Sequence, residues 1–136
     1  MINSAEEFKR LRESEIQNEY YRAATDKASI DVWNEVLTKY PDLAFWVAQN
    51  KTIPIEVLYT LTDNDNVDVR CMVARKRKID DTIFEKLKED IDESVRHALI
   101  CNTKLSIEKK QQIKTSDSEW LEKELKEKVA NTVYSK

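Results

Sequence analysis

The chain has 136 residues and a net charge of −3, with 36% charged and 40% hydrophobic residues, no Gly and two Pro. A chain of this length suits one domain that buries roughly two thirds of its unfolded surface without help from a disulfide or a metal. The absence of Gly excludes phosphate loops and dinucleotide fingerprints, the negative balance argues against a polybasic nucleic-acid binder, and no apolar run approaches the roughly 18 residues of a membrane helix.

The first residues, Ile2-Asn3-Ser4 followed by Glu6 and Glu7, lack the basic start and apolar run of a secretory signal. Ser4 with Glu7 three residues on is a capping-box pattern, and Phe8, Leu11 and Ile16 supply an apolar side. Residues 4–24 are predicted to be helical, with a break near Ser14, as an N-terminal cap and first helix.

Residues 25–115 carry an internal repeat, the feature to seek before any other. Leu43-Ala44-Phe45-Trp46-Val47-Ala48-Gln49-Asn50 aligns without gaps on Val69-Arg70-Cys71-Met72-Val73-Ala74-Arg75-Lys76, and then on Val95-Arg96-His97-Ala98-Leu99-Ile100-Cys101-Asn102. Each step is 26 residues (69 − 43 and 95 − 69). Ile53, Ile79 and Leu105 keep the register, as do Leu61, Leu87 and Ile113, whereas Lys109 and Lys110 interrupt it in the third copy. A weaker copy precedes these at an offset of 25, with Tyr21, Ala23, Ala28, Val32, Trp33 and Val36 over Trp46, Ala48, Ile53, Val57, Leu58 and Leu61. Within each copy the apolar residues fall at i, i+3 and i+4, as in Val69, Met72 and Val73 or Ile83, Phe84 and Leu87. Pro54, Asp80 and Ser106 fall at the equivalent position just before each second helix, and all three fit a helix start, since Pro is tolerated there and Asp and Ser cap free N–H groups. Leu121 and Leu125 continue the positions of Val95 and Leu99, so residues 116–134 read as a C-terminal capping helix. The predicted fold class is all-α, a right-handed α-solenoid of stacked short helical pairs with about 26 residues per repeat, forming one domain over 1–136.

The recurring Val-Arg-x-x-Val-Ala, with its following Ile83-Phe84 and Leu87, resembles the leucine-rich-repeat variant and, more loosely, short HEAT repeats. Asn50-Lys51-Thr52-Ile53-Pro54 is similar to the turn of that variant repeat, with one residue inserted. The iron–sulfur cluster carried by one member of that family is not implied, because its cysteine set is missing. The landmarks Val32-Trp33, Trp46-Val47-Ala48, Asn50-Lys51-Thr52 and Lys76-Arg77-Lys78 also resemble a group of small bacterial proteins. Bacterial helical-repeat proteins of this size include immunity proteins that neutralise toxins, so the resemblance implies a protein-binding role.

No catalytic constellation emerges, and the chain is read as a non-enzyme without cofactor or metal. His97 is the only histidine and is expected to be a structural or surface residue. A zinc site from Cys71, Cys101 and His97 lacks ligand spacing. The two cysteines are expected at or near packed helix faces, and two lone thiols suggest a reducing, cytoplasmic setting. Trp33 and Trp46 are assigned to the core by periodicity, while Trp120 sits in a polar run as a candidate interface anchor. The pattern left over is basic: Arg75-Lys76-Arg77-Lys78 lies at the turn between two helices, and the equivalent turns carry Lys51 and Lys104. With Arg70 and Arg96 one turn earlier, these residues form a candidate partner-binding ladder. Its expected partner is an acidic protein surface, in the most specific version a toxin; the alternative is a nucleic-acid backbone held through phosphates.

Overall fold

The computed structural model describes residues 1–134 and is all-helical, with ten α-helices and one 3-10 turn among them. An isolated bridge between Ile2 and Ala28 is the one β-type pairing among the described residues. The chain divides into two compact units, Met1–Asn64 and Asp65–Lys136.

In the first unit, α1 (Ala5–Glu13) starts on Ser4, whose Oγ accepts from the Glu7 N–H at 3.0 Å. The expected break falls at Ser14, which is extended and accepts the Ile16 N–H on its Oγ. Then follow α2 (Gln17–Thr25), α3 (Ile30–Lys39), the 3-10 turn Pro41–Leu43, α4 (Ala44–Gln49) and α5 (Ile55–Thr62). Tyr40 ends α3 because the residue before a proline is driven out of helical geometry. Phe8 and Leu11 are buried as expected, but Ile16 is 62% exposed, since it sits in the break ahead of α2. Phe8 meets Trp33 edge to face, ring centroids 5.2 Å apart, and both are fully buried where α1 packs on α3. The α2 helix lies on α4, and α3 on α5.

The second unit holds α6 (Val67–Ala74), α7 (Asp81–Leu87), α8 (Glu93–Ile100), α9 (Ile107–Lys110) and α10 (Glu119–Tyr134). Asn66, Asp80, Asp92 and Ser106 cap α6 to α9 with side-chain oxygens on backbone N–H groups. The α8 helix packs between α6 and α10 and also touches α7. Helices α5, α7 and α9 begin at Ile55, Asp81 and Ile107, and α6 and α8 at Val67 and Glu93, each interval being 26 residues. Pro54 is the residue just before α5, as expected.

Burial follows the aligned positions. Leu43, Val69 and Val95 are buried, and so are Val47, Val73 and Leu99, then Ala48, Ala74 and Ile100, then Leu61, Leu87 and Ile113. Each large apolar side chain so placed contributes about 1.5–3 kcal/mol by leaving water. The α9 helix buries none, which is why it runs for four residues where α7 runs for seven. Lys109 there lies over the Phe84 ring at 5.2 Å and pairs with Asp81 instead. On α10 Leu121 is buried and Leu125 half-buried. No described helix is long and apolar enough to cross a membrane.

Candidate partner-binding site

Arg75 terminates α6, and the residues after it run through an irregular turn to Asp80. Arg75, Arg77 and Lys78 are exposed, as are Lys51 in the first unit and Lys104 in the second. Lys51, Arg75, Arg77 and Lys104 take no ion pair among the described residues. Lys76 differs. It is half-buried, and loss of water together with the charge of Lys78 pulls its ammonium down to about 8.

The turns are held by asparagine, not by the cations. Asn102 is buried and donates from Nδ2 to the carbonyls of Ala74 (2.8 Å) and Lys76 (3.0 Å), while its Oδ1 accepts the Lys104 N–H at 2.9 Å. This draws the Lys104 turn against the Arg75–Lys78 turn. Asn50 does the same in the first unit, donating to Ala23 (2.8 Å) and Asp26 (3.0 Å) and accepting from the Thr52 N–H and hydroxyl. One amide side chain thus satisfies backbone groups from two successive turns, a complete use of its donors and acceptor.

Arg70 and Arg96 leave the candidate ladder. Arg70 forms a two-pronged pair with Asp90, Nε–Oδ2 2.9 Å and Nη2–Oδ1 3.2 Å, with side-chain exposures of 14% and 8%. Arg96 is 1% exposed and pairs in the same way with Asp117 at 2.6 and 3.0 Å, adding a bond to the Lys114 carbonyl. Both guanidiniums turn inward because a carboxylate waits in the loop after the second helix, and planar forks match carboxylates. Hydrogen bonds from Arg96 hold the Asp117 carboxyl below its ordinary value.

His97 ties α8 to α10: its ring lies 4.5 Å from that of Trp120, and its Nε2 stands 3.4 Å from Glu124 and 3.5 Å from the Cys101 sulfur. In a thiol–imidazole–carboxylate relay, acid and thiol face opposite ring nitrogens. Here Nε2 is nearest to both, with Nδ1 4.0 Å from the sulfur. Trp120 is 46% exposed, with one face against His97. Cys71 is buried, and burial raises its thiol; Cys101 is exposed, against the expectation of a packed position, because it ends α8 on the solvent side. Among the described residues no three His, Cys, Asp or Glu side chains come together in a way that suits a metal.

Trp33 is in the core, but Trp46 is only half-buried. The Arg12 guanidinium lies 3.4 Å above its ring centroid, and the two border a groove of about 260 Å³ with Tyr20 and Tyr21. Arg12 does not stand out in the sequence. The one signal toward it was the alignment of Tyr21 with Trp46, which places both on corresponding helix faces. Compared with known proteins, the chain matches no family model, no curated protein and no solved structure.

Proposed function

We propose that this chain is a non-enzymatic α-solenoid, built from 26-residue helical pairs, that binds an acidic protein partner through the basic turn Arg75–Lys78 and the adjoining Lys104 turn. The observation that carries the reading is the exposed, contiguous cations of that turn, Arg75 and Arg77 having no carboxylate of their own. Cations at a helix C-terminus suit the macrodipole, but that effect fades within one turn and accounts for Arg75 better than for Arg77 and Lys78. Support for the repeat comes from helix starts at 26-residue intervals and from the burial of aligned positions in each copy. Stacked repeats offer a rigid surface, so a partner binds with little reorganisation. A bacterial toxin neutralised by an immunity-type inhibitor is the most specific partner, resting on the resemblance of the landmark residues.

The test is a triple variant, Arg75→Ala, Arg77→Ala and Lys78→Ala, with half-buried Lys76 left in place. It should keep the wild-type helical spectrum and melting point, and it should lose affinity for a partner isolated with the wild-type chain, most steeply at low salt. Unchanged affinity across salt would remove the turn from the interface. Tighter binding to single-stranded oligonucleotide than to any protein, with log affinity falling linearly in log salt, would replace the protein partner by a nucleic-acid backbone.

A further inference from the structure

The first unit carries a second surface, distinct from the basic turn. Charged residues of α1 other than Arg12 have partners: Lys9 with Glu13, Arg10 with Glu19, Glu6 with Lys39 and Glu7 with Arg22. Arg12 has no ion pair among the described residues, and its Nε is buried without a hydrogen-bond acceptor. A desolvated N–H of this kind is costly when left unsatisfied. Its guanidinium carbon lies 3.4 Å from the Trp46 ring centroid, so the cation is held against the ring face.

The remaining walls of the groove are Tyr20, Tyr21, Ala24 and Gln49. Tyr20 and Tyr21 are 41% and 59% exposed, and α2 buries only Ala23, so these rings are not needed by the core. Apart from Gln49 the groove is therefore aromatic and apolar, with one cation, itself without an ion pair among the described residues, and no carboxylate in its lining. Tyr, Trp and Arg are also the residues that dominate binding energy at interfaces.

We infer that the Arg12–Trp46 groove docks a short protein segment in which one Asp or Glu side chain is flanked by apolar residues. The carboxylate takes the guanidinium edge, and the flanking side chains cover the tyrosine rings. A polyanion fits less well. Strand-binding grooves combine stacking rings with a run of positive charge. Here the lining has a single cation, and over residues 5–25, the two helices and the break between them, the acidic residues Glu6, Glu7, Glu13, Glu15 and Glu19 outnumber Lys9, Arg10, Arg12 and Arg22.

The experiment is a nitrogen-15 NMR titration of the whole chain with acetylated, amidated peptides of sequence Leu-Phe-Glu-Leu-Phe and Leu-Phe-Gln-Leu-Phe, and with a five-nucleotide oligothymidine. The Glu peptide should shift the Arg12 Nε–H and Trp46 Nε1–H resonances saturably, with at least tenfold higher affinity than the Gln peptide. Arg12→Gln should erase that preference, and Tyr21→Ala, at an exposed position, should weaken both peptides while the fold stays intact. Because the Glu and Gln peptides are compared on the wild-type chain, the result does not depend on any variant folding. Equal binding of the two peptides, shifts that avoid these resonances, or stronger shifts with the oligonucleotide would each overturn the inference.

Discussion

The two units reach a closed core by different means. The first is built around Phe8 and Trp33, two rings at full burial, and its ion pairs lie outside: Lys9–Glu13, Arg10–Glu19 and Lys39–Glu6 all have substantial exposure. Pairs of that kind contribute only about 0–1 kcal/mol. The second unit has no tryptophan in its core and brings two guanidiniums inside, Arg70 on Asp90 and Arg96 on Asp117. Position 44 in the first unit, which aligns with Arg70 and Arg96, is a buried alanine. The same helical register therefore tolerates either a small apolar side chain or a long cation, provided a loop carboxylate arrives to receive the cation. What the units share is the asparagine at the turn, Asn50 and Asn102, each holding the turn before it.

The largest expected effect breaks the aromatic side of this comparison. Trp33→Ala should cost the first unit about 3–5 kcal/mol, read as a shift in the denaturation midpoint, because a large ring is removed from full burial. A cost near the level of a surface substitution would mean that the rings merely fill space the unit can collapse.

Next come the two arginine clamps, which should respond asymmetrically. Asp90 is the more buried member of its pair, so Arg70→Met strands a carboxylate and should destabilise by on the order of 2–4 kcal/mol. In the other pair the arginine is the buried member and Asp117 is 46% exposed. Arg96→Met lets Asp117 return to water, whereas Asp117→Ala leaves a buried cation unpaired, so the aspartate variant should be the less stable of the two. The Asp117 carboxyl is held below its ordinary value, mainly by its hydrogen bonds from Arg96. Its stabilising contribution is present above the unfolded carboxylate range and is lost as pH falls through the lowered folded value. Melting of wild type and Asp117→Ala should therefore converge in strong acid; parallel curves across that range would remove the clamp from the acid response.

Smaller losses are expected at the shared feature. Asn50→Ala and Asn102→Ala each remove the amide donor from two backbone carbonyls, of which Asp26 keeps the Thr52 hydroxyl, at a cost of about 1–3 kcal/mol. Asn102 should be the costlier, since the Thr52 hydroxyl still serves the Asp26 carbonyl when Asn50 is removed, whereas the Ala74 and Lys76 carbonyls both lose the Asn102 amide. Equal denaturation midpoints for both variants and wild type would show that water replaces the amide in these turns.

The smallest effect is a gain. Lys76 aligns with Asn50 and Asn102 at 26-residue offsets, and burial together with Lys78 lowers its ammonium from 10.5 to about 8. Below pH 8 the lysine is charged whether folded or unfolded, and the burial penalty is fully present. As pH rises from about 8 to 10.5 the folded chain loses this proton first, so the penalty is relieved and stability increases with pH. Lys76→Asn should be more stable than wild type at pH 7 by on the order of 1 kcal/mol after allowance for solvent screening. The difference should shrink by pH 10. A variant less stable at pH 7 would show that the lysine makes contacts worth more than its burial costs.

Helix positions, the capping of α1 by Ser4, the break at Ser14 and the set of buried aligned positions were legible in the residues alone, because all of them follow from local rules. A 3.6-residue period selects the face that is covered, and a capping oxygen acts within three residues. Tertiary structure decided which polar residues turn inward. Arg70 and Arg96 recur with the same period as the solvent-facing cations, and nothing in that period distinguishes them. Their direction was set by Asp90 and Asp117, which arrive from loops 20 and 21 residues away. The same holds for Trp46, which periodicity assigns to the core: it is half-buried, with Arg12, 34 residues earlier, on its face and Phe45 meeting it edge to face at 4.9 Å. A side chain's burial depends on what the rest of the chain lays over it, and that information is absent from its immediate neighbours in sequence.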